Sequence, residues 1–313
     1  MVKKLTILLA PLEAVGSVNP CIGLAEVLLS RGHRIVFAVN QSFAGKLSPF
    51  GFIEEILNDE TGKLPAENSA KSLLASGLLE DLTPEESMKM MCKTPIFADL
   101  IDKMRAIEPK LKAIIAKYNP DVYIISDFAA SPTIIHSNKP WIRISASQPL
   151  SGIKDDRTPP GWSANVDLMK RLVSILSISQ HKIIVSKGVL GDTYELADNM
   201  WGEKSVPQTK VLPLVDVVIT HGGNNSVTET FSCGKPMIVM PLFGDQYDNA
   251  QRVMEKGFGI RLNPHTVSEQ ELLDSIEKLL NDKELKHKLS VASKRIQNSD
   301  SIQKAAEIIE NLV

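Results

Sequence analysis

The sequence predicts an α/β chain built on parallel sheets, and three observations carry that expectation. Short apolar runs alternate with amphipathic helical stretches along much of the 313 residues, the pattern of repeated β-α-β units. One run, Val-Asp-Val-Val-Ile-Thr at 215–220, passes directly into two glycines and a polar helix start, His221-Gly222-Gly223-Asn224-Asn225-Ser226. No stretch approaches the roughly 20 consecutive apolar residues of a membrane helix.

In chain order, Leu5–Ala10 predicts a buried strand and Pro11–Ser17 a loop. Asn19–Ser30 predicts a helix, with Asn19 as N-cap, Pro20 at the first helical position and Gly32 closing it. Strands follow at Arg34–Val39 and Phe52–Leu57. Residues 58–100, methionine-rich near Met88–Met91, suggest short helices and loops. A helix over Ile101–Tyr118 is stopped by Asn119-Pro120, and strands follow at Asp121–Ser126 and Trp141–Ser145. The polar, proline-rich run Lys154–Pro160 marks a boundary between domains at 1–160 and 161–313. Beyond it come a helix over Val166–Ser177, a strand over Lys182–Ser186, the 215–220 strand, a helix ending at Gly234 and a second apolar run, Met237–Pro241. Thr266 and Glu269 have the spacing of a capping box for a helix to about Leu280, and two more helices reach Val313.

Composition excludes several classes. An apolar fraction of 43%, a charged fraction of 23% and a net charge of −2 are ordinary for a globular chain and predict neither nucleic acid nor an anionic membrane as partner. Cys21, Cys92 and Cys233 are widely spaced in apolar surroundings, which suits reduced thiols in a cytoplasmic protein and no metal site. Leu5–Leu9 is too short for the core of a leader, so the expectation is a chain with neither leader nor membrane anchor. No G-x-x-x-x-G-K-[ST] occurs, and the first β-α turn lacks G-x-G-x-x-G.

The chemistry gathers around the 215–229 stretch. Glycines let backbone approach a ligand, and the first turn of a helix offers N–H donors and the positive end of its dipole to a phosphate. Asn225 and Ser226 add side-chain donors there, His221 can donate to a phosphate oxygen, and Glu229, one turn on, can accept from sugar hydroxyls. Asp245 and Gln246 follow the next strand, at the end of a parallel sheet where ligands bind. Taken singly, each has a plain structural reading: a glycine-rich connection, a solvated helix carboxylate at Glu229, a loop cap at Asp245.

Taken together, Pro207-Gln208, His221–Ser226 with Glu229, Gly234-Lys235-Pro236 and Asp245-Gln246-Tyr247-Asp248-Asn249-Ala250 form an ordered constellation. It resembles the donor-binding signature of the UDP-glycosyltransferases, a family of the two-domain glycosyltransferase-B fold. The likeness runs from about Tyr194 to Leu262, is weaker over Leu5–Ser147, and in style is nearest to arthropod members. It implies two Rossmann-like domains facing a cleft. It also implies transfer of a hexose, with inversion, from a UDP-sugar co-substrate to a small lipophilic acceptor, as in detoxification, with no cofactor and no metal. By the same resemblance Gln208 reads the base edge, and His221, Gly223, Asn225 and Ser226 hold the diphosphate. Glu229 then holds the ribose, and Asp245 and Gln246 the sugar.

The chain also departs from the family. Ser17 stands where members carry a histidine base, while the partner carboxylate position is filled by Asp127. Asp127 could activate an acceptor directly or through water, or cap a helix. Ser205 stands where an aromatic ring stacks on uracil, an interaction worth about 1–3 kcal/mol. Family members are considerably longer, and here Pro159–Ala164 leads straight into the 166–177 helix, so the domain junction and the first strand of the second domain are expected to be missing. The second sheet should therefore be incomplete at its centre. Two other readings remain open: a catalytically impaired nucleotide-sugar-binding protein, or a UDP-sugar epimerase on the same fold.

Overall fold

In a computed structural model of the chain the structure is described for residues 3–12, 15–58, 89, 96–126, 131–144, 166–188, 190–242 and 245–313. Asp127, Cys92 and the Lys154–Pro160 run lie outside the described residues. Contacts divide the chain into two compact units. One comprises residues within Met1–Asn68, Thr94–Ala146 and Ser299–Val313; apart from Lys89, the described part of the other lies within Ser147–Asn298.

The first unit contains β1 (Thr6–Pro11), α1 (Val15–Ser30), β2 (Arg34–Val39), β3 (Ile53–Ile56), α2 (Ile96–Tyr118), β4 (Val122–Ser126), α3 (Pro132–Ile135) and β5 (Trp141–Arg143). The sheet runs in the order β3-β2-β1-β4-β5 and every pairing is parallel. Alternation along the strands divides the core in two. Ile7, Leu9, Ile35, Phe37, Val122 and Ile124 face α1, while Leu8, Val36, Ala38, Tyr123 and Ile125 pack with Leu111 and Ile114 of α2. Asn119, at φ 43°, takes the left-handed turn that ends α2.

Two boundaries differ from the expectation for this unit. Helix α2 begins at Ile96, not Ile101. Helix α1 begins at Val15, which puts Ser17 inside the helix and leaves Pro20 in its second turn instead of at its start. Proline there forfeits a hydrogen bond, but the extra turn brings Val18 into the buried face with Cys21 and Ala25, and that burial offsets the loss.

The second unit contains α4 (Val166–Ser177), β6 (Ile183–Ser186), β7 (Met200–Glu203), α5 (Gln208–Val211), β8 (Val218–Thr220), α6 (Asn224–Ser232), β9 (Met237–Val239), α7 (Gln246–Glu255), β10 (Gly259–Arg261), α8 (Glu269–Asn281) and α9 (Lys283–Gln297). Its strands form two separate parallel sheets, β6-β7 and β10-β9-β8. Met237 and Val239 of β9 face Val227 of α6 and Ala250 and Val253 of α7. Ile238 and Met240 face Leu168 and Leu172 of α4 and Leu272 and Ile276 of α8.

The capping box of α8 is Ser268 with Glu271, not Thr266 with Glu269: Ser268 Oγ accepts from Glu271 N–H at 3.1 Å. The shift places buried Val267 before the cap and buried Leu272 at the fourth helical position, the pairing that staples a helix start; Thr266 as cap would put exposed Gln270 there instead.

The last helix, α10 (Ser301–Glu310), groups with the first unit although it lies at the C-terminal end of the chain, and it stops short of Val313. Ala306 and Ile309 enter the α1 side of that core. Arg31 donates to Glu310 Oε2 at 2.8 Å and to Gln303 Oε1 at 2.7 Å. His33 Nδ1 accepts from Leu5 N–H at 3.1 Å, so its proton sits on Nε2 and is donated to Glu310 Oε1 at 2.9 Å.

Candidate functional site

Strand β8 ends at Thr220 and the chain bends through His221, Gly222 and Gly223 into α6. Gly222 has φ +86°, and a Cβ on it would lie 2.5 Å from Val239 Cγ1 and 3.4 Å from the Gln246 carbonyl oxygen. Only glycine fits a left-handed turn pressed so closely onto β9 and the start of α7. The turn is held from two sides. Gly222 N–H donates to Thr220 Oγ1 at 3.3 Å, and buried Asn249 of α7 donates from Nδ2 to the Gly222 carbonyl at 2.8 Å. Gly223 is the N-cap of α6, and a Cβ there would sit 2.6 Å from His221 Nε2. The imidazole therefore lies against the backbone at the helix entrance. Its enclosure pushes the His221 pKa down to about 4, so the ring is neutral near pH 7 and carries one N–H.

The first ladder bond of α6 runs from Val227 N–H to Gly223 O at 3.0 Å, which leaves the N–H groups of the preceding turn outside the helix ladder. Ser226 lies in that turn, with its carbonyl tied to Thr230 Oγ1 at 2.6 Å. Gln208, the first residue of α5, reaches across from the β7 side. Its Nε2 donates to Glu229 Oε2 at 2.6 Å and lies 3.4 Å from Ser226 Oγ. Gln208, Ser226 and Glu229 are thus joined directly, and Gln208, Ser226 and His221 line one cavity of about 650 Å³.

Asn225 also lies in the first turn of α6. Asp245 is the N-cap residue of α7 without a side-chain cap bond, and its carbonyl takes the Asn249 N–H at 2.9 Å. Gln246 is buried, and its Oε1 accepts from Leu242 N–H at 3.1 Å, so at least this atom braces the segment after β9. The Gly222 turn touches the Gln246 backbone, which brings the β8 and β9 ends together. Asn249 and Thr220 are the residues that sequence reasoning left without a role. Asn249 stood inside the 245–250 motif, one turn after Asp245, a spacing that could have marked it as facing the same way. Ser205 lies exposed just after β7, and Trp201 within β7 is 57% exposed. Among the described residues no group of three or more His, Cys, Asp or Glu is placed to hold a metal.

The family profile for UDP-glucoronosyl and UDP-glucosyl transferases matches residues 192–300, which contain every element just described from β7 to α9. The chain is 24% identical to the NDP-glycosyltransferase YjiC of Bacillus subtilis (strain 168), over 98% of this chain and 97% of that protein. It is 40% identical to human UDP-glucuronosyltransferase 1A9 over 96 residues, 30% of this chain and 18% of that one. Among solved structures, the glycotransferase of kitacinnamycin superposes with a TM-score of 0.73 at 18% identity, covering 99% of this chain and 100% of that one. The glycosyltransferase VinC, solved in complex with dTDP, gives 0.67 at 15% identity, covering 96% and 100%. Residues 192–300 thus match the UDP-glycosyltransferase family. The chain's fold is that of the glycosyltransferase-B enzymes, two α/β units each built on parallel strands. The alignment to the Bacillus relative spans 383 positions, more than the 313 residues of this chain, so the relative carries segments without a counterpart here.

Proposed function

We propose that the chain transfers a hexose from a UDP-sugar to a small lipophilic acceptor, with inversion at the anomeric carbon. The observation that supports this most is the direct linkage of Gln208, Ser226 and Glu229 at the entrance of α6, beside the Gly222–Gly223 turn. In this reading the α6 entrance, with Gly223, Asn225 and Ser226, receives the diphosphate, and His221 donates its single N–H to a phosphate oxygen. Glu229 keeps one oxygen on Gln208 and offers the other to the ribose hydroxyls. Asp245 and Gln246 lie toward the sugar.

The acceptor oxygen attacks the anomeric carbon, the bond from that carbon to the diphosphate oxygen breaks, and the departing UDP takes the electron pair. The acceptor's proton passes to a base. Ser17 cannot fill that role, because a hydroxyl is far too weak a base near neutral pH. Asp127 is the carboxylate assigned to it, directly or through water. A cytoplasmic setting accompanies this reading: Cys21 and Cys233 are free thiols, and among the described residues no helix is long and apolar enough to cross a membrane.

A second reading is a nucleotide-sugar-binding protein without turnover, favoured by Ser17, by Ser205 and by the divided sheet of the second unit. Titration calorimetry with UDP-glucose, together with an assay for glucoside formation on a phenolic acceptor, decides between them. Binding with turnover supports the transferase, binding alone supports the second reading, and no binding by the folded protein defeats both.

A further inference from the structure

The second unit has a gap between its two sheets. Among the described residues strand β6 pairs only with β7, and β8 only with β9. The free edges of β6 and β8 line the same cavity of about 650 Å³. Hydrogen-bond parity identifies the groups that face it. Ile183 N–H bonds the Asn199 carbonyl at 3.0 Å and Lys187 N–H the Glu203 carbonyl at 2.8 Å, so the odd-numbered residues of β6 serve β7 and the main-chain groups of Ile184 and Ser186 point away. On the other wall Val218 N–H bonds the Pro236 carbonyl at 3.0 Å and the Thr220 carbonyl takes the Met240 N–H at 2.9 Å, so the main chain of Ile219 points away from β9. One flank of the gap is roofed by Leu172 and Leu176 of α4 and by Ile276 and Leu280 of α8.

We propose that this gap binds an extended peptide as an added strand. Main-chain donors and acceptors on an open strand edge are a template for a further strand, and here those of Ile184, Ser186 and Ile219 border one cavity. A small aromatic molecule fills volume but does not present donors and acceptors alternately along both edges; a strand does, and strand addition is an established mode of peptide recognition. The gap is bounded by strands of four and three residues, so the paired core of the ligand is about four residues, or roughly 13 Å. The alternate side chains that meet the α4 and α8 leucines and isoleucine must be apolar, and β-branched residues suit them best. Two lysines of the lining, Lys182 and Lys187, stand against one acidic residue, Asp216, which favours carboxylates on the peptide's flanks. The ligand is therefore an extended peptide with a β-branched centre and acidic flanks, supplied by a partner protein.

The test uses the full chain and a fluorescein-labelled peptide, Glu-Val-Thr-Val-Thr-Glu, followed by anisotropy. Saturable binding is expected, weakened about tenfold or more when alternate amides are N-methylated, since those peptides keep their side chains but lose the donors of one edge. Lysines in place of the flanking glutamates should weaken it further. Leu176→Trp, which fills the gap, should abolish binding while UDP-glucose affinity, measured on the same sample, stays unchanged. Absence of saturable binding overturns the proposal, as does equal affinity for the N-methylated peptide. A dimeric chain in which the Ile184, Ser186 and Ile219 amides are already protected also overturns it, because a second copy would then occupy the gap.

Discussion

His221 is a neutral donor because its ring is packed against the Gly223 backbone and removed from water. Protonation would place a charge where solvation is poor, so its pKa drops to about 4 from an unfolded value of 6.5. The unfolded chain binds the extra proton between those values, so this contribution to stability is complete above pH 6.5 and is lost as pH falls toward 4. Its size is about 3 kcal/mol at 1.36 kcal/mol per unit. Urea unfolding at pH 7 and pH 5 should show about 2 kcal/mol of that loss, and His221→Asn should flatten the difference; an unchanged slope in the variant would remove His221 as its source. Glu229 sits at the same scale. A charge-assisted hydrogen bond is worth about 1.5–3 kcal/mol, so Glu229→Ala should weaken UDP binding by roughly tenfold or more in calorimetry. An affinity equal to that of the parent chain would refute the ribose assignment.

Among the elements, the end of β8 and the start of α6 behave as one piece. Asn249 reaches from α7 to hold the turn, so the donor assignment depends on packing between β9 and α7 as much as on the glycines. The β6 and β8 edges are the weak point. Amide exchange followed by NMR should find Ile184, Ser186 and Ile219 exchanging well before Val185, Lys187 and Val218, which are bonded within their sheets. Uniform protection along both strands would mean that the gap is closed in solution. At the other end of the chain, α10 is fastened by Arg31 and His33 on Glu310, whose carboxyl is held below the usual range chiefly by the His33 hydrogen bond. That fastening is complete above the ordinary carboxylate range and loosens as pH falls through the lowered value.

For the whole molecule, the two units differ in the completeness of their sheets. Among the described residues the first has five parallel strands with helices on both faces; the second has its five divided into two and three. The second unit should unfold at lower urea, giving two transitions when Trp fluorescence and far-UV circular dichroism are compared; coincident transitions would show that the divided sheet carries no penalty. In the proposed reading activity is also a whole-chain property, since the residues assigned to acceptor chemistry and to donor binding lie far apart in sequence. Ser17→His should raise turnover if the missing base is what limits the reaction. The structure adds a condition to that expectation: position 17 lies within α1, so the new imidazole starts from a helix and not from a loop.

Local patterns determined a great deal. The parallel α/β class, strand β2, helix α4 and the glycine turn at 222–223 follow from apolar periodicity and from glycine's conformational range, all of which act over a few residues. The ordered constellation from Gln208 to Gln246 pointed to the family for the same reason, because ligand chemistry constrains residue types at fixed spacing. What tertiary structure alone decided are the choices between near-equal local options. Pro20 lies inside α1 because Val18 gains burial. Ser268 caps α8 because Val267 and Leu272 meet. Glu310 meets His33 across most of the chain, and Asn249 becomes the brace of the Gly222 turn. Each of these turns on which side chains and main-chain groups meet after the chain has folded, and contacts between residues distant in sequence leave no periodicity to read beforehand.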